Sequence, residues 1–186
     1  MTILEAIASR RSIKSFSDRE VSQEAIGRIL EAAAHAPNHR LTEPWRFYVL
    51  GPEARRAYGA ALGGRKAKKV EDPTAAQAVV EKVASSHRDL PAMLAVAMTL
   101  DDNPEIREED YAATFMAVQN ICLAAWALGL GTHIKSGAVM DEPRARTAVG
   151  VPEDQRIVAT VFLGEAESVP EPRTRRAAAD LTTWVP

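Results

Sequence analysis

The sequence predicts a β-sheet covered by helices, in an α/β or α+β arrangement. Three apolar runs, Phe47–Leu50, Pro91–Met98 and Ile157–Gly164, have the length and turn-residue boundaries of buried strands. The stretches between them repeat their apolar residues at helical spacing instead. That interleaving excludes an all-helical bundle and a β-sandwich. With 186 residues and 46% hydrophobic content the chain can bury one sizeable core, so residues 1–186 read as a single domain.

Along the chain, Ile3, Leu4, Ala6 and Ile7 give residues 2–9 a short amphipathic helix that ends where Arg10 and Arg11 begin. Ser22 is the N-cap of a second helix, with Glu24 in its first turn and Ile26, Ile29, Leu30 and Ala33 on one face. Pro37 disfavours helical geometry at Ala36 and ends it. Phe47–Leu50, closed by Gly51-Pro52, is the first strand. Helices are expected at 52–62 and 74–87, broken by Gly63-Gly64 and a lysine-rich loop with Pro73, which makes this middle section the expected mobile part. Pro91–Met98 is an interior strand. The segment 110–128, apolar almost all round, is a central buried helix ended by Gly129-Leu130-Gly131. Thr132–Gly137 forms a short strand or turn, 142–149 a helix, and Ile157–Gly164 the last strand before a tail containing Pro and Arg.

Charge and cysteine usage narrow the function classes. A formal charge of −2 and a sequence pI near 6.1 give no general attraction to nucleic acid or an anionic membrane, so any basic site is local and its partner a small anion. The one cysteine, Cys122, forms no intrachain disulfide, and it reads as a small buried hydrophobe because no activating base is nearby in sequence. There is no signal-peptide core at the N-terminus and no run of membrane-span length, which points to a cytoplasmic protein.

Four groups of residues carry candidate chemistry. Arg10-Arg11-Ser12-Ile13-Lys14 places three cations and a hydroxyl within five residues, either as a solvated helix end or as a set of donors for a phosphate and a polar ring edge. His35 and His39 are four apart, but Pro37 between them removes the shared helix face and no Cys or acid completes a zinc motif, so no metal is expected. They are either a surface pair or ring donors toward a cofactor. Trp45 after Pro44 reads as a core anchor. Gly129-x-Gly131 follows a helix, and Ile134 stands where a dinucleotide fingerprint needs its third glycine, so these glycines read as a helix cap and a turn that delivers Ile134, Lys135 and Ser136 to a ligand edge. Lys135 reads equally as an exposed strand-end lysine. Arg173, Arg175 and Arg176 form either a solubilising tail or a second phosphate clamp folded back over the site.

Taken in order, Arg10–Phe16, the turn from Ala36-Pro37 to Pro44-Trp45, the alanine-rich helix ending in Gly129-Leu130-Gly131, and Phe162-Leu163-Gly164 before the tail resemble the nitroreductase family of FMN-dependent NAD(P)H oxidoreductases. The short length and the Asn38-His39 turn are similar to a compact subgroup. The resemblance implies an α+β three-layer sandwich, its central mostly antiparallel sheet flanked by helices, and a homodimer with FMN at the interface. Arg10, Arg11, Ser12 and Lys14 would hold the phosphate, ribityl chain and pyrimidine edge. Ile134, Lys135 and Ser136 would line the same pocket, His35 and His39 would come from the other subunit, and Arg175 would clamp the phosphate. The implied reaction is ping-pong hydride transfer from NAD(P)H to a nitroaromatic, quinone or similar acceptor, with no side chain acting as nucleophile. The alternative is a protein that binds or stores FMN without turnover. Many family members carry Ser-x-x-Asn in the turn and Gln before Pro-Trp; here those places read Asn38, Leu41 and Glu43, so amide contacts there do not carry over.

Overall fold

A computed structural model describes all 186 residues. Its four-stranded sheet has the order β1-β2-β4-β3, where β1 is Trp45–Val49, β2 Ala92–Thr99, β3 Gly131–Lys135 and β4 Gln155–Gly164, and every neighbouring pair is antiparallel. β2 and β4 are central and buried on both faces, which accounts for their continuous apolar sequences. Strand alternation divides their side chains between two cores. Leu94, Val96, Ala159, Val161 and Leu163 pack with Ile26 and Ile29 of helix α2 (Gln23–Ala34) and Val118 and Ile121 of helix α5 (Pro104–Ala127). Met93, Ala95 and Phe162 face the opposite core, built on Tyr58 and Ala61 of helix α3 (Pro52–Ala67) and Ala145 of helix α6 (Pro143–Val149). Helix α4 (Pro73–Arg88) lies against α3. The result is the expected helix, sheet, helix sandwich.

Two expectations change. The Gly63-Gly64 pair does not break α3, which runs on to Ala67. A Cβ on Gly63 would meet the Val80 backbone at 2.7 Å, and one on Gly59 would meet the Val83 carbonyl at 2.7 Å. These glycines, one turn apart, let α3 and α4 approach backbone to backbone, and the section expected to be mobile is a packed helix pair. Helix α5 starts six residues earlier than expected, where Asn103 accepts the Glu105 N–H at 3.0 Å and Pro104 opens the first turn. Its outer side is not buried: Tyr111 and Met116 are exposed, as are Ile3, Leu4 and Ile7 of helix α1 (Ile3–Ser9), which buries only Ala6.

The basic run is fastened to the sheet edge. The Ile13 N–H donates to the Thr132 carbonyl at 2.9 Å, Ser12 bridges Thr132, and Phe16 bridges Ala166 just beyond β4. The Ser17 N–H donates to Glu165 O at 3.0 Å and the Glu167 N–H to Ser15 O at 3.2 Å. Residues 12–17 therefore lie extended between β3 and the root of the tail. Ile13 points inward and is fully buried, so Ser12 and Lys14 point outward.

Candidate functional site

This fastening frames a cavity of about 740 Å³ between the basic run and the tail. Arg10, Arg11, Ser12 and Lys14 line it from one side and Arg173, Arg175 and Glu171 from the other. Arg11 is partly committed elsewhere, because its Nη1 donates to the Ala8 carbonyl at 2.8 Å and to the Arg10 carbonyl at 3.1 Å, closing the end of α1. Arg10, Lys14, Arg173 and Arg175 have neither an ion-pair partner nor a side-chain hydrogen bond within the chain. A cavity of this size is within the range of small-molecule sites, about 300–1,000 Å³. Four uncompensated cations and the Ser12 hydroxyl make it an anion receptor, with arginine forks suited to phosphate oxygens. These residues fit the phosphate end of FMN.

Lys135 is not among the residues lining this cavity; it lies beside His133, which no motif marks. His133 on β3 packs edge-on to Phe162 at 5.9 Å, and Lys135 Nζ lies 6.0 Å from the same ring centroid. Burial lowers the His133 pKa, and the charges of Lys135 and then Lys14 lower it further, so both lysines lie near one imidazole. Ile134 turns to the opposite face and packs on the α2/α5 core, and Ser136 is exposed just past the strand. His87 of α4 also packs edge-on to Phe162, at 5.4 Å, donates from Nδ1 to the Val83 carbonyl at 2.8 Å, and has its pKa lowered chiefly by burial. In both rings burial favours the neutral form. A histidine with a lowered folded-state pKa contributes stability that is complete above its ordinary value near 6.5 and is lost as pH falls through the folded-state value. The urea midpoint is expected to fall from pH 7.5 to pH 5, and to fall less in His87→Gln.

His35 and His39 lie elsewhere. His35 Nε2 is 3.7 Å from Glu31 on the exposed face of α2, and His39 Nδ1 is 3.1 Å from Glu109 on α5. Arg10 lies at the other end of that helix, near Cys122, where the Trp126 indole donates to the neighbouring Ser9 hydroxyl at 2.8 Å. Residues 109 and 122 are about 20 Å apart along an α-helix, so neither histidine shares the cavity of its own chain. No group of three His, Cys, Asp or Glu side chains is placed to hold a metal ion. Burial raises the Cys122 thiol pKa, in keeping with a packing role. No helix is long and apolar enough to cross a membrane.

Comparison with known proteins agrees with this architecture along the whole chain. The Bacillus subtilis protein YfhC, which carries a provisional NAD(P)H nitroreductase name, is 33% identical over 177 residues, covering 95% of this chain and 91% of its own. A nitroreductase-like family protein from Bacillus cereus superposes with a TM-score of 0.85 at 30% identity, covering 100% of this chain and 96% of that one. A provisionally named nitroreductase of Desulfovibrio desulfuricans, solved in complex with FMN, gives a TM-score of 0.75 at 26% identity and covers 100% and 98%. With a family model matching residues 7–165 as well, the chain belongs to the nitroreductase family.

Proposed function

We propose that the protein is an FMN-dependent oxidoreductase that takes electrons from NAD(P)H and reduces a nitroaromatic, quinone or similar acceptor. The observation that carries this reading is the cavity lined by four uncompensated cations and Ser12. The NAD(P)H nitroreductase name of YfhC and the FMN in the Desulfovibrio structure supply the identity of donor and cofactor. FMN, when bound, would supply the hydride chemistry that links donor and acceptor in two separate half-reactions. The chain's own residues bind and tune. Arg10, Arg175 and the Ser12 hydroxyl hold the phosphate end, with Arg11 completing the wall. Lys14 and Lys135 set positive charge where an added electron pair is stored, which favours the reduced state. No side chain is assigned as a nucleophile or obligatory base.

The functional unit in this reading is a homodimer of the 186-residue domain, with FMN at the interface. The exposed apolar sides of α1 and α5 support it, since a helix apolar all round is normally covered all round. His35 and His39, remote from their own cavity, would then reach the partner's, and Ser136 and the backbone of Ile134 would line the flavin edge beside Lys135. The test is the visible spectrum of the purified protein before and after anaerobic NAD(P)H. A flavin spectrum that bleaches supports the enzyme, one that persists indicates an FMN-binding or storage protein, and colourless protein that takes up no FMN removes the cofactor assignment.

A further inference from the structure

Two adjacent acids of α5, Glu109 and Asp110, hold the turn that carries His39. Asp110 is buried; its Oδ1 accepts the Thr42 hydroxyl at 2.5 Å and the Asn38 side-chain amide at 3.4 Å. Asn38 Oδ1 in turn accepts the Glu43 N–H at 2.8 Å. The turn needs such fastening because Leu41 and Glu43 have φ of 52° and 44°, a left-handed conformation that costs a non-glycine residue about 1–2 kcal/mol. Glu109 acts on the side chains instead. Its Oε2 accepts Arg40 Nε at 2.7 Å and its Oε1 lies 3.1 Å from His39 Nδ1, while Arg40 Nη2 also reaches Glu105 at 3.3 Å. Arg40 first and His39 second hold the Glu109 carboxyl below the usual carboxylate range.

An ionised carboxylate only accepts hydrogen bonds, so His39 Nδ1 must carry the hydrogen. Nε2 has no partner within the chain and is the one nitrogen free to meet a ligand. We propose that Glu109 is a positioning residue for cofactor binding: it fixes the His39 tautomer and ring orientation so that Nε2 faces the ligand, on a backbone fastened by Asp110. A carboxylate behind a ligand-binding histidine performs the same service at metal sites. The inference rests on the reading of His39 as a flavin contact supplied to the partner subunit.

The experiment compares wild type, Glu109→Gln, Glu109→Ala and Arg40→Met by long-range ¹⁵N–¹H correlation of the His39 ring in the apoprotein, and by FMN titration followed through flavin fluorescence. Wild type should show the Nδ1–H tautomer. Glu109→Ala should move the ring toward the Nε2–H form that a free imidazole prefers and weaken FMN binding about tenfold. Glu109→Gln, whose single amide oxygen is shared between Arg40 and Nδ1, should shift both less than alanine does, and Arg40→Met should keep the tautomer. Should alanine unfold the turn, Glu109→Asp withdraws the carboxylate by one methylene and carries the same expectation. An unchanged tautomer or an unchanged FMN affinity in the alanine variant overturns the proposal, as does an equal effect of Arg40→Met. Wild-type protein that takes up no FMN overturns the cofactor reading, and the tautomer comparison then decides alone whether Glu109 sets the ring.

Discussion

Valine in place of Gly131 is expected to destabilise the fold by about 3 kcal/mol and to abolish tight FMN binding together. Gly131 opens β3, and a Cβ there would lie 2.8 Å from Ile13 Cβ and 3.2 Å from its Cγ2. Ile13 is fully buried, and its N–H is bound to Thr132, so it cannot rotate away; the extended segment 12–17 would have to lift from the sheet edge. Ser12 and Lys14 would leave the cavity with it. Gly129 supplies the contrast, since its φ of 78° demands glycine but a Cβ there meets nothing. Gly129→Ala should cost about 1 kcal/mol and leave FMN affinity alone. Urea unfolding and flavin titration of both variants separate the two roles, and a Gly131→Val protein with wild-type affinity would show that the pairing with β3 does not hold the basic run in place.

Arg10→Ala carries the second large effect. A hydrogen bond to a charged partner contributes about 1.5–3 kcal/mol, so losing the Arg10 fork should weaken FMN by about 10- to 150-fold. Riboflavin has the same ring and ribityl chain without the phosphate, and its affinity should change less than about threefold, because the removed contact is made to the phosphate. Arg10 has no structural partner within the chain, and alanine is well tolerated at a helix end, so the thermal midpoint should hold. Equal losses for FMN and riboflavin would move Arg10 from the phosphate to the ring. Arg11→Ala should behave differently, lowering the thermal midpoint as well, because its guanidinium closes the carbonyl end of α1.

How much of this was legible from residues alone depends on the range of the forces involved. β2 and β4 announce themselves because strands buried on both faces need apolar residues at every position. The end of α2 at Ala34, with His35 as its cap just before Ala36-Pro37, follows from local sterics. Gly63 misled for the opposite reason: like Gly59 it admits the backbone of α4, while a Cβ on Gly64 would meet nothing, and helix propensity carries no record of a neighbour. The early start of α5 at Asn103-Pro104 was readable from capping chemistry, and the alanine-rich run beginning at 110 drew the boundary too late. The basic run and the tail could be named as cationic, yet only the bridges from Ser12 to Thr132 and Phe16 to Ala166 bring them to one cavity. Glu109 was invisible because nothing in a helical carboxylate indicates a histidine seventy positions earlier, and His133 because its burial depends on Phe162 of the adjacent strand.

The uncovered apolar side of α1 also bears on how the protein survives outside its preferred setting. Ile3 and Leu4 are 71% and 75% exposed in the lone chain, and Trp184 near the tail's end is 91% exposed. A surface of that kind gains free energy only when another surface covers it, so in the proposed dimer part of the fold's stability is held in common by two chains. Such stability obeys mass action. Dilution then acts as a denaturant, and the amount of protein a cell makes becomes one of the variables that set how well each copy is folded.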